Sequence, residues 1–438
     1  MTTFETLGLS PAILRSVTKL GFDAPTPIQA QAIPLVLEGR DIMGLAQTGT
    51  GKTAAFGLPL VHHLAKYDVA PDPKSVRALI LAPTRELVNQ IADNLRSYVR
   101  GTPLKINLVV GGASINNQIR FLGRGSDILV ATPGRLLDLI DRRAVFLDKA
   151  KYLVLDEADQ MLDLGFIHDL RKIAGLVGKP RQTLLFSATM NKQMSEISAT
   201  YLTDPIRIEV ASPGKTADNI SQSVHFIDQS EKGDFLKNLL LEDPKSLSLV
   251  FSRTKHGAEK LMKKLVASGI EAQSIHGNKS QNQRERAIKA FRKGDVRVLV
   301  ATDVAARGID IPGVSHVYNF DLPNVPESYV HRIGRTARAG KNGEAVAFCA
   351  PDEFGYLLDI QKLTGLEIPV ASGKVPTRVI PGAGRQQKRR SNGGGGGQGR
   401  GPRRGAEASA KNGPSGNKPP HKRRRSSKPG NRPQAAAS

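Results

Sequence analysis

Short apolar runs rich in branched residues alternate with helical stretches along most of this chain, and they fall into two series. The first holds Asp41-Ile-Met-Gly-Leu, Ala78-Leu-Ile-Leu-Ala, Asp127-Ile-Leu-Val-Ala, Tyr152-Leu-Val-Leu and Thr183-Leu-Leu-Phe. The second holds Leu247-Ser-Leu-Val-Phe, Val296-Arg-Val-Leu-Val, His316-Val-Tyr-Asn-Phe and Ala345-Val-Ala-Phe. A continuous apolar run marks a strand buried on both faces, and parallel strands need helical crossovers, so each series predicts its own parallel sheet covered by helices. Two α/β domains follow. The pattern breaks at residues 211–220, where Pro, Gly and polar residues predict a linker between a first domain over 31–210 and a second over 221–375.

At 438 residues and 39% hydrophobic content the chain has enough apolar surface for two cores. Its net charge of +23 is unevenly spread: residues 379–438 carry 15 Lys and Arg against the single acid Glu407, a net of +14 that leaves +9 for the rest. The segment 376–438 is rich in Gly, Arg, Lys, Pro and Ser and has no aromatic residue, so it is expected to be a disordered basic tail that attracts phosphate with little base preference. The one cysteine, Cys349, excludes an intrachain disulfide or a multi-cysteine zinc site, and its apolar surroundings predict core packing. No secretory leader and no membrane-length apolar stretch is present, which predicts a soluble, cytoplasmic protein without a membrane partner.

The run Tyr152-Leu-Val-Leu ends abruptly in Asp156, Glu157 and Asp159. Ligands of parallel α/β sheets sit at the carboxyl ends of strands, so acids there are placed to hold a metal or activate a water; in isolation, a strand followed by a charged turn reads the same way. After the first run comes Ala46-Gln47-Thr48-Gly49-Thr50-Gly51-Lys52-Thr53, a phosphate loop in all but its first position, where Ala46 replaces the usual glycine. Gly49 and Gly51 let backbone N–H groups approach phosphate, Lys52 reaches the β and γ phosphates, and the Thr53 hydroxyl ligates Mg²⁺. Such loops pair with a strand-end aspartate that holds the Mg²⁺, partly through water, which gives Asp156 a partner. Glu157 is then the group to orient or deprotonate the attacking water.

Upstream, Gly21-Phe22-Asp23-Ala24-Pro25-Thr26-Pro27-Ile28-Gln29 is stiffened by two prolines, so the Gln29 amide can offer a donor and an acceptor to an adenine edge. A helix-entry turn is the alternative. In the second series Arg335 and Arg338 stand three apart in His331-Arg332-Ile333-Gly334-Arg335-Thr336-Ala337-Arg338 and share a face if that stretch is helical. They then reach a γ phosphate as arginine fingers do, or else form a solvated basic face.

With these residues in place the chain resembles the DEAD-box family of ATP-dependent RNA helicases, named for the sequence Asp156-Glu157-Ala158-Asp159, from about residue 4 to residue 350. The resemblance implies two tandem RecA-like domains, ATP and Mg²⁺ as cofactors, and residues 1–30 as an adenine-recognition segment in which Phe4 is the isolated upstream aromatic and Phe22 and Gln29 meet the nucleotide. Pro83-Thr84-Arg85-Glu86-Leu87, Gly111-Gly112 and Thr132-Pro133-Gly134-Arg135 are similar to its first-domain RNA motifs. Val250-Phe251-Ser252-Arg253-Thr254, Gln281 with Arg284, and Ala301-Thr302-Asp303 are similar to its second-domain ones. RNA contacts are thereby implied for Thr84, Arg85, Gly112, Thr132, Arg135, Arg253, Gln281, Arg284 and Thr302. Arg307-Gly308-Ile309-Asp310 is similar to the stretch that reaches the nucleotide, with Gly308 beside it and Asp310 on the ribose. Asp159, Ser187, Thr189 and His331 look like the residues that couple hydrolysis to RNA.

Two departures stand out. Ala337 occupies a position where many members have glycine, which is expected to shift Arg338 slightly, and Val88 replaces a common alanine. The short amino-terminal extension and the stretch Ile275-His-Gly-Asn-Lys-Ser-Gln resemble the bacterial RhlE branch. What the family resemblance implies is RNA-stimulated ATP hydrolysis coupled to domain closure, by a core that is monomeric, with local unwinding of short duplexes and remodelling of ribosomal or RNA-decay complexes. An ATP-gated RNA clamp with little unwinding is the alternative.

Overall fold

A computed structural model describes residues 2–47, 49–210, 219–306, 311, 313–337 and 342–376. Thr48, residues 211–218 of the expected linker, Arg307, Gly308, Asp310, Arg338 and the tail from residue 377 lie outside the described residues.

Among the described residues, each half of the chain forms a seven-stranded parallel sheet. The first comprises β1 (Ile42–Leu45), β2 (Val76–Leu81), β3 (Ile106–Val109), β4 (Ser126–Ala131), β5 (Tyr152–Leu155), β6 (Gln182–Ser187) and β7 (Ile206–Glu209), in the order β3-β4-β2-β5-β6-β1-β7. The second comprises β8 (Ile220–Phe226), β9 (Ser248–Phe251), β10 (Ala272–Ile275), β11 (Val298–Ala301), β12 (His316–Asn319), β13 (Gly343–Cys349) and β14 (Val370–Ser372), in the order β10-β11-β9-β12-β13-β8-β14. Ile220, expected to close the linker, instead opens β8 and pairs with Gly343 of β13.

Why the apolar runs were continuous is visible in β2. Ala78 and Ile80 pack into the core on one face of the sheet while Leu79 and Leu81 pack into the core on the other. Successive strand side chains point to opposite faces, so covering both faces with helices demands an apolar residue at every position. In the second lobe Leu249 and Phe251 of β9 go to one side and Val250 to the other. Cys349 is fully buried at the end of β13, where burial pushes its thiol up to about 12. Among the described residues no helix is long and apolar enough to cross a membrane.

The strand order decides where chemistry can happen. Along the carboxyl edge of the first sheet, the turns after β3, β4 and β2 carry Gly112, Thr132 and Thr84, whereas the turns after β5, β6 and β1 carry the carboxylates, the segment 187–189 and the phosphate loop. One edge is thus divided into two neighbouring zones. In the second sheet the adjacent strands β10, β11 and β9 are followed directly by His276, Thr302 and Ser252.

Candidate active site and RNA interface

The phosphate loop leaves β1 and turns into the helix Lys52–Leu64 with Gly49 at φ 89° and Gly51 at φ 91°, a conformation that favours glycine. A Cβ on Gly51 would lie 2.4 Å from the Gln29 amide nitrogen, so the loop and the Gln29 segment need glycine where they meet. Gln29 itself is buried. Its carbonyl accepts from the Thr26 N–H at 2.9 Å and its amide donates to the Gly51 carbonyl at 3.2 Å. It therefore caps the helix Pro27–Leu37 and ties that cap to the phosphate loop, fulfilling the helix-entry reading while lying in the cleft.

That cleft has a volume of about 690 Å³, and its walls include Phe22, Gln29, Gly49, Gly51, Lys52, Thr53, Asp156 and Glu157. Phe4 does not line it. Its ring is in the core, stacked on Phe22 with centroids 6.3 Å apart, and so reaches the cleft only through that neighbour. The Lys52 ammonium donates to the Ala46 carbonyl at 3.0 Å and lies 4.0 Å from Asp156 Oδ1. The residue that replaces glycine thus contributes through its backbone.

The strand-end acids are all buried, with Asp156 and Glu157 2% and Asp159 4% exposed. Glu157 adopts φ 52°, which breaks the chain sharply between β5 and the helix Ala158–Asp163, and its N–H donates to Asp156 Oδ1 at 3.0 Å. Strained backbone of this kind collects at functional sites. Burial pushes the Asp156 carboxyl up to about 6; the Lys52 ammonium opposes this, and the Glu157 and Asp159 carboxylates add to it. Packed acids with one ammonium at 4.0 Å call for a further cation, and the Thr53 hydroxyl with a carboxylate is the hard oxygen set that Mg²⁺ takes together with phosphate.

Asp159 turns the other way. Its Oδ2 accepts from the N–H groups of Ala188 and Thr189 at 3.0 and 2.9 Å and from the Thr189 hydroxyl at 3.1 Å. The Ser187 hydroxyl closes the turn on the Thr189 carbonyl at 2.6 Å. His331, from the second lobe, sets Nε2 3.8 Å from the same Asp159 oxygen. The helix carrying His331, Pro326–Ile333, ends before Arg335, and the expected pairing of Arg335 with Arg338 falls outside the described residues. Arg335 is buried and its Nε donates to the His331 carbonyl at 3.3 Å.

The residues assigned to RNA cluster at helix starts. Thr84, Thr132 and Thr254 are the N-cap residues of the helices Arg85–Tyr98, Pro133–Asp141 and Lys255–Ala267, and Ser280 caps Gln281–Lys293. Four helix N-termini at neighbouring strand ends suit a chain of phosphates. Gly112, at φ 72°, lets the Arg85 guanidinium lie against it, since a Cβ there would sit 2.0 Å from NH1. Arg135 donates to the Ala113 carbonyl at 3.1 Å and steadies the same loop. Thr302 starts the helix Asp303–Ala306, its carbonyl accepting from the Ala305 and Ala306 N–H groups at 3.0 and 2.9 Å.

Three of these residues are joined across the lobes with the help of Glu86. Arg85 donates to Gln281 at 3.4 Å, Gln281 donates to Glu86 at 3.3 Å, and Arg284 pairs with Glu86 at 3.1 Å. The Arg284 NH2 also donates to the Ala305 carbonyl at 3.1 Å.

Residues 26–197 match the DEAD/DEAH box helicase family and residues 231–340 match the helicase conserved C-terminal domain. The DEAD-box ATP-dependent RNA helicase CshA of Bacillus cereus is 48% identical over 364 residues, which are 83% of this chain and 68% of that protein. The chain belongs to the DEAD-box RNA helicase family.

This DEAD-box helicase is similar over 85% of its length to S. cerevisiae Dbp5 bound to RNA and ADP BeF3, with 96% of that chain covered, 34% identity and a TM-score of 0.77. Against a Dbp5 variant bound to Nup159, a Gle1 variant, IP6 and ADP, also 34% identical, 84% of this chain and 96% of that one align, with a TM-score of 0.58. The expected RhlE branch is not borne out, because relatives 45–48% identical over 82–83% of the chain are named CshA.

The sequence reading missed the acids and bases that hold these motifs in place. Glu86, the shared partner of Gln281 and Arg284, appeared only inside a motif. Arg332, fully buried, makes a bidentate pair with Asp303 at 2.5 and 2.7 Å and donates to Asn319 at 3.1 Å. Its position between His331 and Arg335 was the only signal, and a basic run gives no hint of which member is buried.

Proposed function

We propose that the first-lobe cleft binds ATP and that one RNA strand crosses the helix N-termini of both lobes, each ligand favouring the closed arrangement. As a DEAD-box family member the chain is an ATP-dependent RNA helicase. Lys52 holds the β and γ phosphates against the backbone N–H groups of residues 49–51, and Gln29 presents its amide beside the adenine. Thr53 and Asp156 hold Mg²⁺, which supplies positive charge to the phosphate oxygens. Glu157 orients the attacking water and takes its proton. Arg335 approaches the γ phosphate from the second lobe and balances charge as the bond to it breaks.

One observation carries this reading. The tetrad whose Asp156 and Glu157 line the cleft ends in Asp159, which is bonded to residues 188 and 189 and faces His331 of the other lobe. A change at the nucleotide is thereby linked to the contact between lobes. The TM-scores support it: with equal identity to both Dbp5 structures, the higher score belongs to the one holding RNA and ADP BeF3 and the lower to the one holding ADP without RNA, which favours an arrangement of the lobes nearer to the RNA-bound one.

Phosphate and 2′-hydroxyl contacts give RNA preference with little base reading. ATPase stimulation by RNA and by DNA of matched sequence tests this. Strong stimulation by RNA alone is expected, and equal stimulation by DNA would contradict it.

A further inference from the structure

The second lobe buries a charge network that the nucleotide cleft does not use. Lys232 is fully buried and Glu353 is 2% exposed. The Lys232 ammonium donates to the carbonyls of Phe320 and Phe348 at 2.9 and 3.3 Å and to one oxygen of Glu353. That oxygen also accepts from the Ala350 N–H at 3.2 Å. The other Glu353 oxygen accepts from the Leu322 N–H at 3.2 Å and from NH2 of Arg253. Asp321 completes the set, accepting from the Ser252 hydroxyl and the Arg253 N–H at 2.9 Å each and from the Gln229 amide at 3.2 Å.

Two cations thus balance two carboxylates whose oxygens all accept hydrogen bonds, which is what allows charges into an interior. Such networks add little stability over apolar packing of the same volume, so stability alone does not explain this one. Arg253 points to another role. Its side chain is the one charged member that reaches the surface substantially, at 35% exposed. NH2 is held by Glu353 and by the Leu322 carbonyl at 3.1 Å, and the guanidinium lies over the Tyr356 ring at 5.2 Å from its centroid. Among the described residues NH1 and Nε make no hydrogen bond. Arg253 lines a cleft of about 620 Å³, and Thr254, Lys260 and Ser230 share its walls.

A free arginine gives up rotamer entropy when it is fixed on a ligand. Here the side chain is fixed before any ligand arrives, with two donor positions left over, a preorganised arrangement for binding an anion. We propose that Glu353, backed by Lys232, is a positioning residue that presents Arg253 to a backbone phosphate of the RNA strand. The proposal rests on the reading of Arg253 as an RNA contact, and it assigns a role to a residue beyond the 231–340 match.

The test is the RNA dependence of ATPase in the full chain carrying Arg253→Ala, Glu353→Gln, or both. Arg253→Ala is expected to raise the KM for RNA roughly ten-fold, the loss of one charge-assisted contact. Glu353→Gln is expected to raise it several-fold alone and not at all in the Arg253→Ala background, with kcat moving far less than KM. Additive effects would overturn the positioning role while leaving the RNA contact standing. An unchanged KM in Arg253→Ala would overturn the contact and the proposal together. Because Glu353→Gln leaves the Lys232 cation unbalanced, the neutral pair Lys232→Met with Glu353→Gln provides the second measurement. It is expected to reproduce the KM rise, and a wild-type KM there would overturn the proposal.

Discussion

His331 Nε2 of the second lobe lies 3.8 Å from Asp159 Oδ2 of the first, and that oxygen already takes three donors from residues 188 and 189. An asparagine at 159 keeps one acceptor but places an N–H₂ group beside groups that are themselves donors. Asp159→Asn is therefore expected to retain nucleotide binding and lose most RNA stimulation. The ratio of RNA-stimulated to basal ATPase measures this, and a wild-type ratio would show that the contact carries no coupling.

Lys52 and Glu157 line the same cleft with separable duties. Lys52→Ala removes the phosphate-binding charge and is expected to abolish detectable ATP binding. Glu157→Gln keeps the size and polarity of the side chain and is expected to preserve binding while slowing turnover by 10²-fold or more, on the order of what general-base catalysis contributes. Normal turnover in the glutamine variant would remove Glu157 from water activation.

Glu259 accepts from the Ser274 hydroxyl, Lys279 and His276 at 2.6, 2.9 and 3.1 Å, which holds its carboxyl at about 2 instead of 4.5, Ser274 and Lys279 being the largest causes. A depressed pKa adds stability that is complete above the unfolded value of 4.5 and is lost as pH falls towards 2. The urea midpoint of Glu259→Gln should therefore fall below wild type at neutral pH, with the gap closing as the solution is acidified through that window. A gap independent of pH would mean that Glu259 does not titrate as its contacts require.

Ala337, at the position where many members of the family are expected to have glycine, adopts φ 55°. Left-handed backbone disfavours any Cβ, so Ala337→Gly is expected to stabilise the chain by about 1 kcal/mol. A thermal midpoint raised by a few degrees is the sign to look for, and a lowered midpoint would show that packing of the methyl group outweighs strain.

Much of this fold was readable because both sheets are buried on two faces: Ala78 to Leu81 and Val298 to Ala301 have no solvent side and therefore no polar residue. The strands that escaped notice are mixed in character. Examples are Ile-Arg-Ile-Glu in β7, at a sheet edge, Ile-Ser-Gln-Ser-Val-His-Phe in β8, and Ala-Gln-Ser-Ile in β10. Site residues were legible where chemistry is contiguous, as in the phosphate loop and the tetrad. Lys232 and Glu353 were not, because their partners are 121 positions apart and sequence alone does not join them. The stretch that pointed to RhlE has a structural duty instead, since His276 and Lys279 are committed to Glu259.

Coupled closure is tested most directly by the affinity of a non-hydrolysable ATP analogue for the full chain, measured with and without saturating single-stranded RNA. If both ligands favour one arrangement, linkage requires each to tighten the other. Tightening of at least about five-fold is expected, at the lower end of typical coupling between sites. An analogue affinity that RNA leaves unchanged would contradict it.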